Sequence, residues 1–323
     1  FFLLIYLWFN KYYMVPYKLK NWINIQNLDW SYLSNNINSI ELLKKNPDKI
    51  NWETLSANSN ALEIIENNIE KINWDELSGN PNAINLLERN IDKINWRMLS
   101  TNHNAIHILE KNINKIKWYE LSGNRGALRI LENYPNEINW RALSLNTHPR
   151  AIKLLENNKD KIDWYLILKN PKAINIINEV VYVFNPYLSL DDSWNLHHIY
   201  NSLSHNHSAI NILKKNPELI DWGALSRNIN AIELLKENQS KINWGQLSFN
   251  KNAIKILESN QERIYWNYIS LNPNIFEIDY YLIKKRIEPF VEELMMVCFH
   301  PSRLDYYIEK YNYDIGDDTY IND

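Results

Sequence analysis

Tryptophan recurs every 22 residues through most of this chain, and that period restricts the fold more than any other property of the sequence. Trp30, Trp52, Trp74, Trp96, Trp118 and Trp140 stand 22 residues apart, Trp164 follows after 24, and Trp222, Trp244 and Trp266 resume the step. Tyr200 holds the anchor between Trp164 and Trp222, because Leu203, Ser204, Asn206, Ala209 and Ile210 follow it at the usual offsets. Eleven anchors thus define eleven units of the form NWxxLSxNxNAIxLLExNxxKI. Self-similarity at such a period marks an array in which each unit is one supersecondary element, too small to bury its own apolar face without a neighbour.

Each constant position carries a local physical meaning. Asp or Asn precedes most anchors (Asp29, Asn51, Asn73, Asn95, Asn139, Asp163, Asp221, Asn243), which suits the N-cap of a short first helix. Six residues after every anchor stands another Asn, followed by Pro81, Pro171 or Pro273 in three units; Asn before Pro predicts the start of a second helix. As a cap, that Asn should tolerate replacement by Asp. The AIxLLE segment places apolar residues at i, i+1, i+3 and i+4, a helical stripe. A further Asn, such as Asn46, Asn90 or Asn216, ends it, with Pro47 or Pro217 directly after. No segment alternates with period two, so strands do not compete. The anchors share the apolar stripe and are expected in the core. The serine four residues after the anchor recurs in ten of eleven units, as expected of a structural part bonded to backbone.

The fold class that follows is all-α, an α-solenoid of about eleven helix-turn-helix repeats. With neighbouring helices about 8–10 Å apart, such an array would be an elongated body on the order of 100 Å long. Residues 14–278 form the array and 279–323 a C-terminal helical cap with an acidic tail, Pro289 opening one helix there and Pro301 another. Residues 178–199 insert 14 residues into the seventh unit, as a lengthened second helix, a loop, and a longer helix leading into Tyr200. Residues 1–13, nine of them a leading apolar run, are too short to span a bilayer and lack the form of a signal peptide. They read as upstream sequence translated in frame, as a hydrophobic plug over the first repeat, or as a membrane anchor.

Composition narrows the function. A net charge of −3 supplies no surplus of Lys and Arg to neutralise phosphates, so no nucleic-acid partner is expected. One cysteine, Cys298, rules out an internal disulfide and suits a reducing compartment.

The repeats, with the ending EELMMVCFHPSRL (residues 292–304) and YDIGDD (residues 313–318), resemble a family of uncharacterised repeat proteins of giant DNA viruses of the mimivirus kind. The resemblance covers about residues 17–323 and departs from the family at residues 1–13 and at the insert. It implies a viral origin and no activity; the expected location is intracellular, host cytoplasm or virion.

No catalytic constellation emerges. His103 and His107 lie four apart, but no carboxylate or Cys completes a metal set. His197, His198, His205 and His207 gather near Asp191 and Asp192, yet adjacent histidines point to different helix faces. Cys298, in a helix rich in Leu, Met and Val, reads as an inert core thiol. Phosphate loops, HExxH and GxSxG are absent from the sequence. One aromatic per unit could stack one nucleobase, but the charge balance argues against it. The expectation is a non-catalytic protein-interaction scaffold, without cofactor, metal, membrane or small-molecule substrate; the alternative is a structural component of a virion or viral factory. Its partner should lie along the positions one and two after each anchor: Tyr32, Glu53, Thr54, Asp75, Glu76, Arg97, Met98, Tyr119, Glu120, Arg141 and Tyr165.

Overall fold

The computed structural model describes residues 15–184, 193–292, 296 and 300. The leading segment 1–13, the centre of the insert at 185–192 with Asp191 and Asp192, Cys298, the expected helix after Pro301 and the acidic tail lie outside the described residues. The chain divides into two compact units, one of residues 19–276, the other of residues 1–18 with 277–323.

The larger unit is a regular helical repeat. In the fourth repeat a first helix runs over Trp96–Thr101, a second over Ile106–Lys111, and a 3-10 turn over Ile113–Lys115. All eight Asp and Asn residues expected to cap first helices do so, their side chains accepting from backbone N–H groups two or three residues on. This satisfies donors that a helix start leaves orphaned. The Asn that ends the second helix turns its carboxamide back on the last turn: Asn90 donates to the Leu86 carbonyl and Asn112 to that of Ile108, both at 2.9 Å. In the insert, the second helix extends over Ile174–Phe184 and the next first helix over Ser193–His205, as expected.

Three expectations need correction. The Asn six residues after the anchor does not start the second helix. Asn102 ends the first, a turn follows, and the second helix begins only at Ile106, with Ala105 at its N-cap making no side-chain bond. Asn102 Oδ1 accepts from Asn104 N–H and braces that turn, while its NH₂ donates across the repeat boundary to the carbonyls of Ser78 (3.2 Å) and Asn80 (3.0 Å). This carboxamide is buried, so Asp there would keep the turn and lose both donors.

The anchors, secondly, are half-buried and not core. The buried centre is made by the leucines and alanines, Leu99, Ala105 and Leu109 in the fourth repeat. The outer part of each Trp is shielded by a cation from the 3-10 turn of its own repeat. Lys49, Lys71, Lys93, Lys115 and Lys161 hold Nζ 4.5–5.1 Å from the ring centroids of Trp30, Trp52, Trp74, Trp96 and Trp140. Lys241 and Arg263 do the same at Trp222 and Trp244. The ring quadrupole attracts the charge, and the lysine stem covers apolar area. The exception is Tyr200, which is buried.

Thirdly, the array is not elongated: it closes on itself. At interior junctions the serine Oγ accepts from the N–H of the next cap (Asn95 to Ser78, 3.0 Å), while the Asn carboxamide reaches back to two carbonyls. The last and first repeats make the same set. Asp29 N–H donates to Ser270 Oγ at 2.9 Å, and Asn36 Nδ2 to the carbonyls of Ser270 (2.9 Å) and Asn272 (3.1 Å). Asn38 Nδ2 adds a bond to the Pro273 carbonyl at 3.0 Å, as Asn60 does to that of Ile37. The eleventh repeat carries a 3-10 turn, Pro273–Ile275, and then a short strand from Phe276, where other repeats begin a second helix. The start of the chain supplies its missing connector: the 3-10 turn Ile25–Asn27, buried Leu28 and cap Asp29 stand before Trp30 as Ile113–Lys115, Ile116 and Lys117 stand before Trp118. The stacking face that residues 279–323 were expected to cap is met by the first repeat.

First helices of consecutive repeats pack directly on one another through most of the cycle. Second helices are bridged instead by long side chains: Lys44 to Glu63, His107 to Glu88, Arg129 to Glu110 and Arg150 to Glu132. Closer spacing puts the first helices on the smaller radius of the cycle.

Short strands β1 (Tyr17–Leu19) and β2 (Phe276–Ile278) pair where the two units meet in sequence. In the smaller unit, Asp279 N–H donates to the Pro16 carbonyl, Lys18 pairs with Glu277, and a helix not anticipated from the sequence spans Tyr280–Ile287, capped by Asp279.

Candidate interaction face

A first helix turns about 100° per residue, so one face must take the buried Leu and Ser at anchor +3 and +4. The residue at +1 then points away from the core. Glu53, Asp75, Arg97, Tyr119, Arg141 and Tyr165 are all exposed, Tyr119 at 48% and Tyr165 at 53%. The +2 residues Tyr32, Thr54, Glu76, Met98 and Glu120 are half-buried, because they meet the preceding first helix. Thr54 Oγ1 donates to the Ser31 carbonyl at 2.8 Å, and Met98 Cε lies where a Cβ on Gly79 would touch it at 3.3 Å. The expected face therefore divides: +2 positions join repeats, and +1 positions are exposed.

The +1 positions vary in order around the cycle. Glu53 and Asp75 make an acidic start, with Glu76 beside them; then Arg97, Tyr119, Arg141 and Tyr165 alternate over four consecutive repeats. Arg97 Nε reaches Glu120 Oε1 at 2.5 Å and Arg141 Nε reaches Asp163 Oδ2 at 3.5 Å, which extends both guanidinium groups along the face. These exposed pairs add little stability.

Tyr32 belongs to a different patch, which the sequence reading missed. Its ring meets that of Tyr268 edge-on at 6.5 Å across the seam. Tyr268 is stacked between Phe249 (4.5 Å) and Tyr265 (5.9 Å), and the Arg227 guanidinium lies 4.6 Å over Phe249. The available signal was a break in the pattern: Tyr265 stands where other repeats place a cap, and it caps nothing.

Among the described residues two titratable groups, Asp221 and Tyr200, are shifted from their ordinary values. Burial alone would raise the Asp221 carboxyl, but hydrogen bonds from the Ala224 N–H and the Asn201 side chain, with His197 nearby, hold it below the usual carboxylate range. Burial, and then the charge of Glu218, raises the Tyr200 hydroxyl. His107 is paired with Glu88 at 2.8 Å, and His103 is exposed. Among the described residues no three His, Cys, Asp or Glu side chains gather to hold a metal ion, and no helix is long and apolar enough to cross a membrane. In comparisons with known proteins, the chain matched no family model, no curated protein and no solved structure.

Proposed function

We propose that this chain is a non-catalytic protein-binding scaffold, and that its partner lies across the first helices of repeats 4–7. A repeating helical architecture of this kind is typical of interaction scaffolds. The observation that carries the placement is the exposed series Arg97, Tyr119, Arg141 and Tyr165 on consecutive first helices, those of repeats 4, 5 and 6 packed closely on one another. Arg and Tyr are among the residues most enriched at interface hot spots, and a rigid array presents them at little cost in ordering. A viral origin is proposed on the C-terminal motif and repeat resemblance alone.

The test is affinity capture from infected or producing cells with the wild-type chain and with Arg97→Ala, Tyr119→Ala and Arg141→Ala combined. These side chains lie outside the core, so the triple variant should keep helicity and melting temperature while losing capture. Capture that survives the triple change and fails when residues 180–193 are deleted would move the site to the insert.

A further inference from the structure

Repeats 10 and 11 enclose an open cleft of about 610 Å³, lined by Ile242, Asn243, Trp244, Gly245, Glu262, Arg263, Ile264 and Tyr265. A repeat protein supplies its own controls, because every position can be compared with its equivalents. Three departures meet at this one cleft. Tyr265 replaces the cap Asn or Asp found before eight other anchors. Gly245 stands at the +1 position, as Gly223 does in repeat 9, where repeats 2–7 carry Glu53, Asp75, Arg97, Tyr119, Arg141 and Tyr165. Arg263 replaces the lysine that covers the anchor ring in six other repeats.

Together they build a platform. The rings of Phe249, Tyr268 and Tyr265 form a column, closed at the Phe249 end by the Arg227 guanidinium. The column lies against the Gly245 backbone: a Cβ there would meet Tyr268 at 3.6 Å and Tyr265 at 3.7 Å, ordinary van der Waals contact. At the other end Tyr265 is 54% exposed and lines the cleft, so one ring in the column retains an open face. The charges at the rim are already matched, with Arg263 lying over Trp244 at 5.0 Å and its Nε 3.5 Å from Glu262. The two opposite charges leave the rim with no net charge to offer a ligand, and what the cleft presents is the open ring.

We propose that this cleft is a second contact site, which seats an uncharged aromatic side chain of a peptide against Tyr265. The proposal rests on the scaffold reading for its biological sense, but its test needs no partner. The full chain would be titrated with acetylated, amidated Gly-X-Gly tripeptides, X being Tyr, Trp, Leu or Arg, and binding read by saturation-transfer NMR. The Tyr and Trp probes should bind and the Leu and Arg probes should not. Tyr265→Asn places at this position the residue used in repeats 2, 3, 4, 6 and 10, so the fold should be kept, and aromatic binding should fall about tenfold, the value of one good ring pair. Unchanged aromatic binding in Tyr265→Asn would overturn the proposal, placing the ring elsewhere, and so would absence of binding by any probe. Preference for the Arg probe would overturn the ligand class and make Glu262 the recognition group. None of these results bears on capture by Arg97, Tyr119 and Arg141, so the two readings can fail separately.

Discussion

The junction between repeats 3 and 4 and the seam between repeats 11 and 1 make the same bonds from very different chain separations. In the interior, Asn95 and Asn102 reach Ser78 and Asn80 across 17–24 residues; at the seam, Asp29 and Asn36 reach Ser270 and Asn272 across 234–241. Joining ends so far apart costs roughly 2 kcal/mol more loop entropy than an interior junction. Closure offsets it by burying the stacking faces of both end repeats and pairing the polar groups on them: the Asn36 carboxamide at one, Ser270 and the carbonyls at the other. The seam has no bonding pattern of its own, apart from the Tyr32–Tyr268 ring contact and a bond from Lys20 N–H to the Ile275 carbonyl. Closure is therefore a property of the repeat, expressed eleven times.

The largest expected effect comes from turning the shared carboxamide into a carboxylate. Asn102→Asp removes two buried donors and sets a charge against two carbonyl oxygens, at about 3–5 kcal/mol. It should appear as a lower melting temperature for the whole repeat unit. Asn36→Asp makes the same chemical change at the seam, and there the expected result is an opened cycle: near-normal helicity with a larger radius of gyration in small-angle scattering. If the radius stays constant and melting falls as far as in Asn102→Asp, the seam is not a separable joint.

A smaller difference should separate the anchors. Trp96→Ala is expected to cost about 2–3 kcal/mol, less than a fully buried aromatic, because the ring is half-buried under Lys115. At the seam the position equivalent to Lys115 is Asn27, so Trp266→Ala should cost about 0.5–1 kcal/mol less, the size of an exposed cation–π contact. Chemical denaturation at two salt concentrations would test this, since only the Trp96 site has a charge to screen.

The smallest effect is that of one hydroxyl. Ser78→Ala and Ser270→Ala each leave the next cap N–H without its acceptor, for about 1–2 kcal/mol. Hydrogen exchange should quicken at Asn95 in the first variant and at Asp29 in the second. A response at Asn95 alone would mean that the seam already opens in the wild-type chain.

Much of this was legible in the residues. The eight caps, the short first helix, the serine as a backbone partner and the lengthened helices of the insert all depend on neighbours within a few positions, and a 22-residue pattern exposes such dependence. The Asn six residues after the anchor was misread because a cap and an inter-repeat bridge use the same residue type. One needs only the carboxamide oxygen, the other also the NH₂, and only the burial of Asn102 against Ser78 and Asn80 tells them apart. The anchors were misplaced for a similar reason: Trp and Leu look alike on an apolar stripe, and shielding by Lys115 from 19 residues away is not a local property. Of the expected face, the +1 residues stood where periodicity puts them. The column on Tyr265 was hidden because its rings come from repeats 10 and 11, beside Tyr32 of repeat 1.

The sequence by itself determined that this chain is a helical repeat, how each unit starts and ends, and which residues are available to the outside, because spacing and capping chemistry act within one unit. Only the tertiary structure decided that the array is a cycle. One full turn shared by eleven units is about 33° per repeat, and an error of a few degrees in each would accumulate into an open superhelix. That angle is set by how closely first helices approach relative to second helices, through the sizes of +2 side chains such as Met98 against Gly79 and the reach of ion pairs such as Lys44 to Glu63. These are contacts between units, and a pattern read one unit at a time does not contain their sum.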